Sequence, residues 1–214
     1  AAVLFTSGSE ALPGGIEPAD GVLAGVAARS VAAQGAYRSL GRQPLRAVQG
    51  FAPELSQREL EREAPDPRHK TLLERVSILG RTPTGPRVLS DVTTSPDMAH
   101  RPACVGRLTA AILRTARSVG DTLVFESSGP ELWRRLAGRL EDLLADFYAA
   151  GALLGDSRAQ AYSVRCDETT TTQNDLDNGR VLVEVRFAPA HPIGQITVVL
   201  ALRDGSVSVA GGAG

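Results

Sequence analysis

The side chains best equipped for chemistry are three histidines, His69, His100 and His191, two cysteines, Cys104 and Cys166, and the acidic tract DETTTTQNDLDNG over residues 167–179. A zinc site needs ligands spaced so that two or more meet on one face. The histidines are scattered through proline-flanked segments and no cysteine has a metal-spaced partner, so neither a zinc site nor a disulfide framework is supported. Both cysteines read as reduced, buried, small apolar residues. In the acidic tract Asp167, Glu168, Asp175 and Asp177 are hard oxygen donors of the kind calcium takes. An EF-hand loop begun at Asp175 needs an oxygen ligand fifth and glycine sixth, whereas Gly179 falls fifth and Arg180 sixth. The tract reads as a solvated hairpin loop or a polar contact to a neighbouring subunit. Ser127 and Ser128 follow an apolar segment and precede a helical one, as a nucleophile would, but G-x-S-x-G is absent. No phosphate-cradling glycine pattern is present, and no aromatic cluster offers a stacking platform. No metal and no cofactor is expected.

Bulk composition narrows the partners. With 214 residues, 43% of them apolar, the chain can fill one good-sized core or two small ones. A net charge of −1 lacks the basic excess with which nucleic-acid and membrane-surface binders are recruited. No apolar run is long enough to cross a bilayer, and the start lacks the basic residues of a secretion signal. The cations are arginines apart from Lys70, which suits a GC-rich bacterial genome and salt-bridged interfaces. A start without methionine in a Gly/Ser/Pro-rich tract is what a chain beginning inside a longer protein would show.

The positioning elements follow from periodicity. Residues 6–20 read as a linker. From Asp20, taken as an N-cap, GVLAGVAARSVAAQGAY forms a helix with Val22, Val26 and Ala33 on one side, closely packed against a neighbour. Residues 46–50 make a short strand, 56–63 a brief charged helix or turn, and APDPRHKT a loop broken by Pro65 and Pro67. Residues 72–79 and 87–92 are two strands separated by RTPTGP. Pro102 opens a helix that ends at Gly120, with Val105, Leu108, Ile112, Thr115 and Val119 as its stripe. Residues 122–126 form a buried strand, and Ser128 with Glu131 makes a capping box for a helix of about 30 Å. That helix carries Leu132, Leu136, Leu140, Leu143, Leu144 and Phe147 on one face and ends at Gly151. Residues 161–166, 181–187 and 195–202 are strands, with Asn178-Gly179 a turn before the second. The fold class is α+β: a mixed or antiparallel sheet with two long amphipathic helices packed on it.

Two features invite a partner. Arg107, Arg114 and Arg117 on one helix, and Arg134, Arg135 and Arg139 on the other, face outward on a chain of near-zero charge. A solvated face accounts for them in a monomer; in a polymer they pair with carboxylates of the next subunit or of an inner tube. The last strand, with Gln195, Ile196, Thr197, Val198, Val199 and Leu200, is long, apolar and close to the end of the sequence. Exposed as an edge it would aggregate, so it is either covered internally or completed by another chain.

The order of FE at 125–126, LW at 132–133, GALLG at 151–155, Cys166-Asp167, the Asn178-Gly179 turn and FAPAHP at 187–192 resembles the C-terminal domain of contractile tail sheath proteins over residues 81–204. Pro18, Gly21, Ala24, Gly25, Ala28 and Arg29 match a P-x-x-G-x-x-A-G-x-x-A-R pattern that precedes that domain, and Leu154, Gly155, Pro189 and Pro192 match positions within it. Ser127-Ser128 stands where the family often shows Pro-Asn, and Gly194 where an acidic residue often follows the last proline. The resemblance implies segments 1–17 (flexible or arm-like), 18–100 (upstream core), 101–204 (sheath domain) and 205–214 (flexible tail). The family's N-terminal arm is either absent from this chain or represented by residues 1–12. The resemblance further implies a structural subunit, not an enzyme, that polymerises helically around an inner tube protein and contracts to drive the tube through an envelope. Its partners would be other copies of itself, the tube, and baseplate and terminator proteins, with assembly in a bacterial cytoplasm and no nucleic acid or membrane bound at rest. The energy would lie in the metastable extended assembly. Competing readings are a baseplate or adaptor protein of the same machine and a soluble α+β enzyme using Glu126, Ser127 and Asp167.

Overall fold

Short strands with one apolar face need a covering layer, and the first half of the chain supplies a helix for it. The computed structural model describes residues 2–5, 16–46, 48–62, 71–123, 129–191, 196–203 and 206–213. The chain divides into two units, Ala1–Gly106 and Arg107–Gly214. In the first, β1 (Ala2–Phe5) pairs antiparallel with both β2 (Ile16–Pro18) and β3 (Val48–Ala52). Part of the segment expected to be flexible or arm-like is therefore strand in this chain. Helix α1 (Asp20–Gln34) begins one residue earlier than expected, with Ala19 as N-cap and Asp20 already helical. Its inward face is Val26 and Ser30, while Ala33 is exposed. Ala27 packs against the core of this unit, whereas a Cβ at Gly21 or Gly25 would meet nothing within 4 Å. Val26 joins Leu40, Leu45, Val48, Phe51, Leu79 and Val88 in the core of this unit.

Helix α2 (Gln57–Leu60) is held by a capping box between Ser56 and Glu59. The strand expected over 72–79 is displaced: Leu72–Glu74 is a 3₁₀ turn, and the hairpin is β4 (Leu79–Thr82) with β5 (Gly85–Val88) around the expected turn. Serine side chains replace the ladder beyond it. Ser90 Oγ accepts from Ile78 N at 2.9 Å and donates to Val76 O at 2.7 Å, and Ser77 Oγ bridges both backbone groups of Val92 at 2.9 and 3.0 Å.

Helix α3 (Ala103–Asp121) starts just after Pro102, and buries Cys104, Val105, Leu108, Ile112 and Ala116. Ala116, not Thr115, completes the stripe, because positions four apart stay in line. Thr115 is exposed and donates to Ala111 O at 3.1 Å. Thr122 and Leu123 form a turn closing α3, so the strand expected there does not begin with them; its last three residues lie outside the described set.

Helix α4 (Pro130–Ala149) buries Leu132, Trp133, Leu136, Leu140 and Leu144. Its N-cap is Gly129 and Pro130 sits in the first turn, so the preset φ of proline starts the helix. Ser128, the other half of the expected box, lies outside the described residues, and Glu131 bonds Arg134 at 2.6 Å. Gly151 follows the helix at φ +73°, a conformation glycine adopts without steric cost.

Next come α5 (Arg158–Ala161), β6 (Tyr162–Arg165), α6 (Gln173–Asp177), β7 (Arg180–Phe187), β8 (Ile196–Arg203) and β9 (Ser206–Ala213). The four strands form an antiparallel sheet in the order β6-β7-β8-β9, and α4 packs along β6. The fold is α+β, and each sheet described is antiparallel. Alternation in β7 buries Val181, Val183, Val185 and Phe187. Across the ladder Phe187 faces Tyr162 and Ile196, Val185 faces Val198, and Val183 faces Leu200. Residues expected to be a flexible tail form β9.

Gly155 marks a close approach. A Cβ there would lie 2.7 Å from Ala161 N and 3.0 Å from its Cα, both backbone atoms that cannot yield cheaply. Gly155→Ala is therefore expected to cost about 1–3 kcal/mol through overpacking, read as a lower denaturant midpoint with an unchanged slope.

Candidate assembly surface

Strand β8 carries the residues expected to join subunits. Ile196, Val198 and Leu200 point into the core, Thr197 and Val199 lie half-buried on the opposite face, and Gln195 lies outside the described residues. Both edges of β8 are occupied, by β7 on one side and β9 on the other. Of the two expected arrangements, cover from within or completion by another chain, β8 has the first within this chain, and the end strands of the sheet are β6 and β9. An arriving strand would add beside one of them, or take the place of β9 against β8.

The arginine faces are where periodicity puts them. Arg114, Arg117, Arg134, Arg135 and Arg139 are exposed and Arg107 is half-buried. Glu131 and Arg134 bond at 2.6 Å with both side chains about three-quarters exposed (73% and 75%), a pair that water screens heavily.

The acidic tract is ordered by its threonines. Thr169 and Thr170 bond the Asp167 carboxylate, which holds it below the ordinary carboxylate range, the Thr169 hydroxyl contributing most. Thr171 is buried, and its hydroxyl donates to Leu182 O at 3.2 Å and accepts from Leu182 N at 3.0 Å. Thr172 and Asp175 form a capping box that starts α6, an element sequence reasoning missed. The signal was present, since Thr172-x-x-Asp175 has capping spacing. Asp175 also accepts from Arg180 at 2.9 Å. Bonds from Thr172, its hydroxyl first, and then the Arg180 charge keep the Asp175 carboxyl below its usual 3.8. Because the folded value is depressed, the unfolded chain binds the proton more readily, so stability rises with pH. The contribution is complete above the unfolded value and is lost as pH falls through the folded one. Thermal midpoints taken from pH 5 downward are expected to fall less steeply for Asp175→Asn than for the native chain.

Little here supports bond-making chemistry. His100 Nδ1 lies 2.7 Å from Asp97, and that bond is the main reason the Asp97 carboxyl is lowered. Among the described residues no group of three His, Cys, Asp or Glu could hold a metal ion. Burial, aided by the Asp167 charge, pushes the Cys166 thiol up to about 12, so it carries no thiolate at neutral pH. An open groove of about 430 Å³ lies beside it, lined by Pro130, Trp133, Arg134, Asp167, Glu168 and Thr169. Of the three residues weighed for catalysis, Glu126 and Ser127 lie outside the described residues and Asp167 is engaged with its threonines. No helix among the described residues is long and apolar enough to cross a membrane.

Segments that carry the sequence resemblance come together in space. Leu153 of GALLG bridges Pro189 of FAPAHP, Leu154 N donates to Ala188 O at 2.8 Å and Ala190 N to Ala152 O at 2.9 Å. Leu132 and Trp133 are buried in α4, and Cys166 and Asp167 directly follow β6. Phe125, Glu126 and Pro192 lie outside the described residues.

No protein-family model matches the chain, and no curated protein matches it. Solved structures do match. A chain in the six-fold symmetrised baseplate of the anti-feeding prophage superposes with a TM-score of 0.75 and 21% identity, covering 90% of this chain and 50% of that one. The contracted sheath complex of the extracellular contractile injection system PVC gives 0.73 and 23%, covering 84% and 49%. The sheath tail protein of Desulfitobacterium hafniense gives 0.68 and 16%, covering 94% and 44%. The fold is thus that of the contractile injection system sheath and of the sheath tail protein. The chain spans about half the length of the solved chains it matches.

Proposed function

We propose that this chain is the conserved-fold part of a contractile sheath subunit, a structural protein that polymerises helically around an inner tube and shortens to drive the tube outward. The observation that carries the reading is the superposition on a contracted injection-system sheath over 84% of the chain. The sheet suits the mechanism. Main-chain hydrogen bonds to an added or exchanged strand at the β9 side would hold subunits together while side-chain interfaces are rebuilt during contraction. The residues assigned to this joint are Gln195, Ile196, Thr197, Val198, Val199 and Leu200, beside which an exchanged strand would take the place of β9. Arg107, Arg114, Arg117, Arg134, Arg135 and Arg139 are assigned to packing against copies or the tube. The partners are further copies of the chain, an inner tube protein, and baseplate and terminator proteins, with assembly in a bacterial cytoplasm. Energy is stored in the extended packing, and no catalytic step is assigned.

Negative-stain electron microscopy of the full-length protein, alone and co-expressed with its candidate tube protein, tests this. Long striated tubes are expected. Small monodisperse particles in both preparations would sink the sheath assignment. The likeness to a chain in a baseplate structure favours a second reading, a baseplate or adaptor protein of the same machine. Closed rings of fixed copy number, with no tubes, would select it.

A further inference from the structure

Two faces of opposite charge stand without counter-ions among the described residues. On α3, Arg114 and Arg117 are exposed, and neither makes an ion pair. Asp121, four residues beyond Arg117, is exposed and does not bond it. On α4, Glu141, Asp142 and Asp146 are exposed and equally without an ion pair. Arg139, three residues before Asp142, and Arg158 of α5, which lines a groove with Glu141 and Asp142, bond none of the three carboxylates.

Within a single copy both faces are unfavourable. Arg114 and Arg117 lie three residues apart and Asp142 and Asp146 four apart, so each pair sets like charges on Cβ atoms about 5–6 Å from one another, where they repel. Asp146 also sits in the last turn of α4, where the negative end of the helix dipole disfavours an anion and no basic residue offsets it. The same spacings make the two faces match each other, since two arginines one turn apart can meet two carboxylates one turn apart at once. The acidic face is also concave: Glu141 and Asp142 line a groove of about 440 Å³ with Tyr162, Ser163 and Val164 of β6. An arginine suits such a slot, its aliphatic stem against the wall and its planar fork on the carboxylates.

We infer that the acidic face of α4 docks the α3 arginines of a second copy of this chain, Arg114 and Arg117 of one copy pairing with Glu141, Asp142 and Asp146 of the next. The inference deepens the sheath reading and rests on it only for the identity of the assembly. A second copy is the occupant because each chain carries both halves of the contact, on different helices, and its net charge of −1 leaves little excess once they pair. A contact between two different faces is heterologous and propagates from copy to copy, as a helical polymer requires. It is also electrostatic, so it opens and re-forms without exposing apolar surface.

Charge reversal in the full chain tests it. Arg114→Glu with Arg117→Glu makes both faces acidic, and Asp142→Arg with Asp146→Arg makes the α4 face basic like that of α3. Sedimentation velocity at about 50 mM salt is expected to show self-association of the native chain, about a tenfold weakening or more for either variant alone, and recovery in an equimolar mixture, where each variant supplies the charge the other lacks. The recovered association should weaken again at about 0.5 M salt, which screens exposed charges over a few ångströms. All the altered positions are exposed, and far-UV circular dichroism checks that each variant is folded. The milder Arg117→Gln and Asp146→Asn should each weaken association less, in the same direction. A native chain that stays monomeric, variants that associate like the native chain, or a folded mixture that does not recover overturns the inference. If tubes form normally from either variant alone, the docking contact falls and the sheath reading stands. If the mixture associates but no preparation forms tubes, the docking contact stands and the sheath reading falls. Loss of tube-protein binding by the α3 variant with copy-to-copy association intact assigns Arg114 and Arg117 to the tube and overturns the inference.

Discussion

Replacing Phe187 by alanine is expected to cost about 3–5 kcal/mol, a large share of the 5–15 kcal/mol that holds a typical domain together. Phe187 has no exposed surface, and it stands between Tyr162 and Ile196 where β6, β7 and β8 meet. Tyr162 in turn meets Tyr148 edge-on at 6.4 Å, so the cavity left by the ring would open next to a contact between α4 and the sheet. Neighbours tied into a ladder cannot collapse to fill it, which puts the cost at the upper end of the range. Chemical denaturation of the full chain followed by far-UV circular dichroism measures this. Phe187→Leu, which keeps most of the volume, should cost less than half as much. Equal midpoints for Phe187→Ala and the native protein would mean that the inner face of this sheet is not the core of the second unit.

Ending the chain after Arg203 is expected to abolish ordered assembly and lower solubility. β9 pairs with β8 along its whole length, from Ile196 opposite Ala213 to Arg203 opposite Ser206. Removing it leaves the unpaired N–H and C=O groups of a long apolar strand as a template for indiscriminate pairing. Amorphous aggregate, in place of tubes or single particles, is the outcome looked for by electron microscopy and pelleting. A peptide comprising residues 204–214, added in excess, should restore solubility by re-forming the ladder in trans. Restoration would show that this edge accepts a strand from another molecule. Normal tubes from the truncated chain would remove β9 from the joint.

The two experiments sort two kinds of contact. Phe187 belongs to a side-chain core that must persist if the unit is to remain folded. The β8–β9 ladder is main-chain pairing that any suitable strand can supply.

Elements with strong apolar periodicity were legible from residues alone. Leu132, Leu136, Leu140 and Leu144 recur four apart and define the buried face of α4, and the alternation through β7 foretold which of its side chains are interior. Weakly apolar segments were not legible. α6 lies in a run of threonine and acidic residues without apolar period, and only its capping pair betrays it. β9, SVSVAGGA, holds too few β-favouring residues to stand as a strand without β8 beside it. The strand expected at 72–79 failed for a related reason: Ser77 and Ser90 supply side-chain hydrogen bonds where a ladder would otherwise continue.

By itself the sequence determined which faces are apolar and which outward positions are arginine, because burial follows side-chain chemistry at the helical and strand periods. It also offered no metal ligands at ligand spacing and no nucleotide-loop pattern, since those depend on spacing. Only the tertiary structure decided that β8 is flanked on both edges, that GALLG meets FAPAHP, and that the acidic tract is pinned by its threonines. These depend on which backbone groups find each other across long separations, and that choice is made by the free energy of the whole sheet, not by any local run of residues.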